Sequence, residues 1–266
     1  MKLNRFAAVT DIHGNLPALQ AVIAEIEAAG GVEAVVNLGD IVSGPLWPRE
    51  TAALLMSLGW PTIAGNHERQ ALAAYPGPHD DDAFAAAELL PPQKAWLAAL
   101  PPLLALDDGQ VQLVHGTPSS DLAPLLETIQ PGHAPGGNPG RREASLDEVR
   151  ARLEGHTAGL VLCGHTHLPR VMQVGRTLVV NPGSLGRPAY DARRPLPHRA
   201  ECGSPHARWA LLERRPGGWQ VQLRCTVYDW ETAAARAASL GFEDWAFQLR
   251  TGRVGPREAA ALGGLG

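Results

Sequence analysis

The sequence predicts an α/β fold built around a largely parallel sheet. Short apolar runs alternate with helix-like stretches in the first part of the chain, a pattern typical of strand–helix–strand units with right-handed crossovers. Polar clusters follow five of the apolar runs, which is typical of a site at the carboxyl ends of parallel strands. The chain has 266 residues and 45% of them are hydrophobic, enough to bury a large core.

The alternation is clearest before residue 65. Apolar residues recur at helical spacing after residue 16 until Gly30 and Gly31 stop them, and Pro48 suits the first turn of a second helix. The predicted elements here are a strand at 6–9, a helix at 16–29, a strand at 34–38, a helix at 48–58 and a strand at 61–64. Their order favours neighbouring strands that run in the same direction.

The rest of the chain is more varied. Residues 69–106 are predicted to be mainly helical with proline-rich breaks, and 131–143 form a Gly/Pro-rich loop. Further predicted elements are strands at 111–114 and 160–163, a helix at 146–153, antiparallel strands at 171–174, 177–180, 208–213 and 219–227, and a helical tail from 230. No repeat or linker divides the chain. We therefore expect one domain over 1–266, with a helical insertion at about 69–106 and a C-terminal helical tail at about 230–266.

Composition and charge exclude several classes of protein. The formal net charge of −4 argues against a general nucleic-acid or membrane-surface binder. No window approaches 18 uninterrupted apolar residues, and the first residues lack the apolar segment of a signal peptide. Three cysteines without a Cys-x-x-Cys pair indicate reduced thiols rather than a disulfide framework. We therefore expect a soluble cytoplasmic protein.

Five polar clusters stand at the ends of predicted strands. They are Asp11-Ile12-His13, Gly39-Asp40, Gly65-Asn66-His67, His115-Gly116 and Gly164-His165-Thr166-His167. Because ligands gather outside the carboxyl ends of parallel strands, we expect the clusters to converge on one rim. Residues two apart on an extended chain point the same way, so each Asp-x-His or His-x-His pair directs two side chains to one place.

The side chains of these clusters are metal ligands of a particular kind. They offer carboxylate, amide and imidazole groups and no thiolate, a set that suits Mn²⁺, Fe or Zn²⁺ and argues against a thiolate-rich structural zinc site. A single histidine at a strand end is more often an ordinary surface or core residue. Five clusters together predict a site for two metal ions that share one carboxylate.

The motifs also resemble a known family. The set "DIHGN", "GD", "GNHE", "HG" and "GHTH" resembles the calcineurin-like metallophosphoesterase superfamily. The run "CGHTHLPRVMQVGRTLVVNPGSLGRPAYD" and the end "VYDWETAAARAASLGFEDWAFQLRTG" are similar to its small bacterial and archaeal phosphodiesterase branch. The resemblance implies a four-layer αββα sandwich in which two mixed sheets are flanked by helices.

The resemblance also implies residue roles. One metal ion takes Asp11, His13, Asp40 and His167, and the other takes Asp40, Asn66, His115 and His165, with Asp40 bridging. His67 is the expected general acid, which protonates the leaving oxygen while a metal-bridging hydroxide attacks phosphorus. The expected cofactors are two divalent ions, manganese first, with iron or zinc as alternatives. The substrate is then a small-molecule phosphoester, and the enzyme a phosphoester hydrolase.

One departure from the family pattern concerns His67. Protein phosphatases of the superfamily continue Gly-Asp with a Val-Asp-Arg-Gly run, whereas this chain has Ser43 in place of the Asp and lacks the Arg. Phosphoprotein hydrolysis is therefore less expected, and the group that orients His67 is open. Asn15 and Arg187 are candidate substrate-binding residues. Their alternatives are a hydrogen bond within a turn and a surface arginine.

Three functions follow from these observations. The preferred one is a phosphodiesterase that acts on small phosphodiesters or nucleotides. The alternatives are a phosphomonoesterase, including a protein phosphatase, and a metal-binding scaffold without turnover. The sequence leaves open the natural substrate, the metal used in cells and whether the chain forms a homo-oligomer.

Overall fold

The fold is taken from a computed structural model that describes residues 2–73 and 80–255. Residues 74–79 of the expected helical insertion and 256–266 of the expected helical tail lie outside the described residues. Within the described ranges, no helix combines the length and apolar character that crossing a bilayer requires.

The described chain contains strands and helices throughout its length. The strands are β1 (Arg5–Val9), β2 (Ala34–Asn37), β3 (Leu103–Leu106), β4 (Val111–Val114), β5 (Glu127–Ile129), β6 (Arg141–Glu143), β7 (Leu160–Leu162), β8 (Arg170–Val174), β9 (Thr177–Asn181), β10 (Ala189–Ala192), β11 (His198–Glu201), β12 (Ala207–Arg215) and β13 (Gly218–Thr226). The helices are α1 (Leu16–Ala28), α2 (Pro48–Leu58), α3 (Asn66–Ala73), α4 (Asp81–Glu88), α5 (Pro91–Ala98), α6 (Leu146–Arg152), α7 (Trp230–Ser239) and α8 (Glu243–Thr251).

Two mixed sheets form the centre of the fold. The first has the order β13-β12-β1-β2, with β1 and β2 parallel and the other pairs antiparallel. The second has the order β3-β4-β7-β9-β8, with β4, β7 and β9 parallel and the edge strands β3 and β8 antiparallel. The sequence prediction of a largely parallel sheet is therefore correct only for the pair β1-β2 and for the three strands β4, β7 and β9.

The buried side chains show how the layers stack. One apolar cluster lies between the two sheets and includes Phe6, Val36, Leu113 and Leu162. A second cluster joins the other face of the first sheet to α1, α2, α7 and α8, and a third joins the other face of the second sheet to α6. The order is therefore helices, sheet, sheet, helix. This confirms the four-layer αββα sandwich.

Several local predictions differ from the structure. Residues 61–64 do not extend into a strand, because only Thr62 forms an isolated parallel bridge with Asn37. The stretch 69–106 contains α3, α4 and α5 but ends in strand β3, and the Gly/Pro-rich loop ends in β6. The hairpin β10-β11 had no periodic apolar pattern from which it could be predicted.

Candidate metal centre and active site

The loops after β1 and β2 are fastened to each other by their backbones. The amide of Asp11 donates to the carbonyl of Gly39 at 3.0 Å, and the amide of His13 donates to that of Asp40, also at 3.0 Å. Because β1 and β2 are parallel neighbours, both loops leave the same edge of the sheet. The first two sequence motifs therefore lie side by side.

One group of buried donors contains Asp11, His13 and His167, whose potential ligand atoms lie within 4.8 Å of one another. The Nε2 atoms of the two imidazoles are 3.2 Å apart, and Nε2 of His167 is 3.4 Å from Oδ1 of Asp11. The three residues are almost completely inaccessible to solvent. Residues that are 154 positions apart in the chain thus form one compact group.

A second group contains Asp40, His115 and His165, again with potential ligand atoms within 4.8 Å. Nε2 of His115 is 3.1 Å from Oδ2 of Asp40. Oδ1 of Asn66 joins this group, because it lies 3.2 Å from Nε2 of His115 and 2.9 Å from Nδ1 of His165. The structure therefore brings together all seven predicted metal ligands in two groups. The bridging role of Asp40 stays a prediction.

The chemistry of the first group fits a cation. Nδ1 of His13 lies 2.8 Å from the carbonyl of Ser43, and Nδ1 of His167 lies 2.7 Å from the carbonyl of Arg187. A carbonyl only accepts, so each Nδ1 carries the proton and a neutral ring presents a lone pair on Nε2. Burial, with the nearby His167 and His67, holds the pKa of His13 well below its usual value. Two lone pairs then face each other, and Oδ2 of Asp11 is buried without a hydrogen-bond partner among the described residues.

The second group also fits a cation. Nδ1 of His115 lies 2.8 Å from the carbonyl of Leu38, which again directs Nε2 into the group. Burial lowers the pKa of His115, but the carboxylate of Asp40 outweighs it and raises the pKa to about 10. Burial, with His115 next to it, lowers the pKa of His165 to about 4. Metal ligands bind in their deprotonated forms, so a cation bound by Asp40 and His115 would displace a proton from this pair.

Most of the predicted metal ligands have an unusual backbone conformation. Asp11, His13, Asp40, His165 and His167 all have φ between 51° and 68°, in the left-handed region that side chains disfavour. Such conformations persist where surrounding structure enforces them, and they concentrate at functional sites. Each one turns the chain sharply after a strand and so aims a donor at the rim.

Two glycines allow the loops to approach closely. A Cβ on Gly65 would lie 2.2 Å from Oδ1 of Asp40 and 2.8 Å from Cε1 of His115. A Cβ on Gly39 would lie 2.3 Å from the amide nitrogen of Gly65. No larger residue fits at either position without moving backbone or a candidate ligand. The glycines of the "GD" and "GNHE" motifs are therefore needed for packing.

Glu68 supports the second donor group by binding the backbone of the loops that carry it. Its buried carboxylate accepts hydrogen bonds from the amides of Asp40 (2.8 Å), Ile41 (2.7 Å) and Gly65 (2.7 Å). Burial and the nearby Asp40 raise the pKa of Glu68 to about 7, against the effect of these three donors. These contacts make Glu68 an orienting group, since it fixes two of the loops that carry donors.

His67 lies beside the two groups and is held at both ends. Its amide donates to Oδ1 of Asp40 at 2.9 Å, and Nδ1 of its ring lies 2.9 Å from Oδ1 of Asp82 in α4. Its ring centroid is 5.2 Å from that of His13. Burial lowers the pKa of His67, but Asp40 and Asp82 outweigh it and raise the pKa to about 9. The ring therefore holds a proton at neutral pH, as an acid must.

Arg187 faces the same region and is already engaged. Its guanidinium lies 3.1 Å from Oδ2 of Asp81 and 4.0 Å from the ring centroid of Trp245, and Nε donates to Gln248 at 3.3 Å. The indole of Trp245 donates to the other oxygen of Asp81 at 2.9 Å. A substrate role for Arg187 stays a prediction, but the side chain is pre-oriented rather than a free surface arginine.

Asn15 has a structural function. It is completely buried and caps α1, because its side-chain oxygen accepts from the amide of Ala18 at 3.2 Å. Its amide nitrogen donates to the carbonyl of Gly186 (2.8 Å) and lies 3.1 Å from the hydroxyl of Tyr228. These contacts favour the turn interpretation over direct contact with substrate.

Sequence comparison agrees with the geometry. A profile of the family described as calcineurin-like phosphoesterase matches residues 4–169, which is more than half of the chain and includes all five motifs. The chain belongs to the calcineurin-like phosphoesterase family. This family depends on divalent metal ions, in keeping with the two donor groups.

Solved structures similar to this phosphoesterase confirm the fold. A metallophosphoesterase from Sphaerobacter thermophilus has a TM-score of 0.72 at 22% identity, covering 94% of this chain and 100% of that one. A hypothetical protein from Pyrococcus horikoshii has a TM-score of 0.71 at 19% identity, covering 94% and 99%. An uncharacterized protein of Methanocaldococcus jannaschii is 37% identical over 68 residues, which span 26% of this chain and 28% of that relative.

The candidate site of this phosphoesterase opens into a large cavity of about 1070 Å³. Donors from both groups and His67 line this cavity. Other lining residues come from the segment before β5, from β5 and from the hairpin β10-β11, and include Leu122, Pro124, Ile129 and Pro195. A second, smaller cavity of about 570 Å³ lies beside α8, and His67 and Arg187 line both.

The sequence analysis missed the residues that hold His67 and Arg187. Asp81 and Asp82 belong to the run "DDD", which directly follows a proline-rich stretch of the predicted helical insertion. Asp80 at N-cap and acidic residues in the next turn are a helix-start signal that could have placed α4. No sequence spacing links that helix to His67.

Proposed function

We propose that this phosphoesterase is a dinuclear-metal phosphodiesterase that hydrolyses small phosphodiesters or nucleotides. One observation carries the proposal. Two compact groups of buried nitrogen and oxygen donors lie at the same rim, and the backbone amide of the neighbouring His67 donates a hydrogen bond to Asp40. Two-metal hydrolases need this combination of a divalent-cation clamp and a nearby proton donor.

The roles of the residues follow from their positions. Seven side chains would hold the ions: Asp11, His13, Asp40, Asn66, His115, His165 and His167. Two divalent cations bound there would supply a water-derived nucleophile at neutral pH and offset charge on the phosphoryl oxygens. As the new P–O bond forms and the bond to the leaving oxygen breaks, Nε2 of His67 gives its proton to that oxygen. Solvent then restores the proton.

The shape and charge of the site support a diester substrate. Apolar walls and a cavity of about 1070 Å³ give room for a substituent on the phosphate far larger than the phosphate itself. Ser43 replaces the family's carboxylate, no arginine follows it, and Arg187 is already paired with Asp81. A bidentate grip on a monoester dianion from the loop after Asp40 is therefore weaker than in the protein phosphatases. Manganese is the proposed ion because of the family resemblance, and the mixed imidazole, amide and carboxylate donors also suit iron or zinc.

The proposal is tested with metal-free protein that is reloaded with Mn²⁺, Fe²⁺ or Zn²⁺. Metal content is measured by mass spectrometry, and rates are measured with bis(p-nitrophenyl) phosphate and with p-nitrophenyl phosphate. We expect two ions per chain and a higher kcat/KM for the diester. His156→Ala is the matched control for His67→Ala, because His156 is an exposed histidine outside the site.

The alternatives give different results in the same experiment. A clear preference for the monoester would replace the phosphodiesterase with a phosphomonoesterase. Two bound ions without turnover of either ester, and no effect of His67→Ala, would indicate a metal-binding scaffold. Only one ion per chain at saturating metal would overturn the dinuclear proposal itself.

A further inference from the structure

A general acid must present its proton in one direction. In this chain His67 lacks the carboxylate partner that the protein phosphatases of the family supply from the loop after Gly-Asp. The position that carries the family's carboxylate is Ser43. Ser43 is buried, its carbonyl accepts from His13, and its hydroxyl has no hydrogen-bond partner among residues 2–73 and 80–255. Ser43 therefore serves the first donor group and not His67.

We propose that Asp82 is the positioning residue for His67, a carboxylate that α4 brings to the site in place of the one missing at position 43. Oδ1 of Asp82 lies 2.9 Å from Nδ1 of His67. With Nδ1 occupied, Nε2 is the ring nitrogen available to a substrate, and the backbone bond to Asp40 fixes the other end of the residue. The proposal rests on the proposed function and adds the group that orients its acid.

The anchoring of α4 shows that Asp82 is not a loose surface carboxylate. Asp80 caps the helix by accepting from the amide of Ala83 at 2.9 Å. The next residue, Asp81, binds both Arg187 and the indole of Trp245. Ala85 is completely buried in the core between the helices and the first sheet. The contacts of Asp81 and the burial of Ala85 thus hold the start of α4 against the rest of the fold, and the cap at Asp80 stabilises its first turn.

Consecutive carboxylates of this turn serve two different groups at the cavity. Asp81 holds Arg187, and Asp82 holds His67. Both ion pairs are largely shielded, with side-chain exposures of 23% for His67 and 18% for Asp82. Shielding strengthens such a contact, because water competes less for the same hydrogen-bonding groups. One short helix therefore contacts both side chains, and α8 contributes the remaining contacts of Arg187.

The test uses methyl aryl phosphodiesters with two leaving groups, p-nitrophenol and the much less acidic phenol, in the Mn²⁺-loaded enzyme. Protonation by a general acid matters more for the poorer leaving group. We expect Asp82→Asn to lower kcat about 30-fold for the phenyl ester but at most about threefold for the nitrophenyl ester, with KM and metal content unchanged. Asp82→Glu should restore part of the lost rate.

Glu88→Gln is the matched control, since it removes one carboxylate from the other end of α4 without touching His67. It should leave both rates unchanged. Equal losses for the two leaving groups in Asp82→Asn, or no loss, would overturn the positioning role. A wild-type enzyme that hydrolyses neither diester would instead refute the proposed function.

Proton NMR tests the contact between His67 and Asp82 independently of catalytic turnover. In the diamagnetic Zn²⁺-loaded protein, the Nδ1 proton of His67 should give a downfield, exchange-protected resonance. That resonance should be lost in Asp82→Asn and kept in Glu88→Gln. Its absence from the wild-type spectrum would refute the contact, whatever the rates show.

Discussion

The candidate site has two parts that are positioned in different ways: the two donor groups, and the neighbouring side chains of His67 and Arg187. The donor groups come from loops that directly follow strands, and left-handed turns aim their side chains at the rim. His67 and Arg187 depend instead on carboxylates from α4, a helix that contributes no donor to either group. The comparison teaches that strand ends position the candidate metal ligands, whereas helix α4 contacts the two side chains, His67 and Arg187, that line the cavity beside them.

Asp40→Asn should have the largest effect, because it weakens the second donor group and removes one of the charges that hold His67. We expect activity to fall about 1000-fold, equivalent to several kcal/mol of transition-state stabilisation. Metal content measured after gel filtration should fall below two ions per chain. Full metal content with full activity would show that Asp40 is not a ligand.

His67→Ala should have the second-largest effect on activity, and it should distinguish catalysis from metal binding. Loss of a general acid lowers kcat by roughly 100-fold or more. Because the side chain of His67 belongs to neither donor group, metal content should stay at the wild-type value. Parallel loss of metal and activity would instead make His67 a ligand.

Glu68→Gln should weaken metal binding without removing a ligand. The substitution replaces one oxygen acceptor by a donor opposite three backbone amides. Groups that support ligands typically change metal affinity by about 10- to 100-fold. Titration with Mn²⁺ should therefore show weaker binding of one ion, while kcat at saturating metal changes little. Unchanged affinity for both ions would reduce Glu68 to a folding role.

Asp81→Asn should have the smallest effect and sharpens the comparison within α4. It releases Arg187 from its ion pair but leaves Trp245 stacked on the guanidinium. We expect a change of about threefold in KM for a diester, with kcat and metal content unchanged, because partly shielded ion pairs contribute modestly. A loss in kcat as large as that of Asp82→Asn would show that α4 acts as one unit.

The donor groups could be predicted from the sequence, whereas the contacts of His67 with α4 could not. The central strands and the helices α1, α2 and α6 were predictable because each has its own periodic apolar pattern and end signals. The donor residues were predictable because each motif follows a strand, and parallel strands end at one edge. His67 and Asp82 lie 15 positions apart with no shared pattern, so only tertiary packing reveals their contact.

Two other failures have local causes. The run 61–64 has strand composition, but it forms a single bridge at the edge of the first sheet beyond β2. Hairpin β10-β11 contains charged and proline residues, and apolar residues do not alternate regularly with polar ones along its strands. Sequence periodicity carries no signal for such a segment.

The left-handed turns at the donor residues bear on how this protein can be improved in the laboratory. Each strained turn at a non-glycine residue costs about 1 kcal/mol or more, which relaxation to glycine would recover in part. A selection for heat tolerance in a chelating medium would therefore favour glycine at positions such as Asp11 or His13. Thermostable variants should therefore be selected with divalent ions present, because selection without them favours variants that have lost candidate metal ligands.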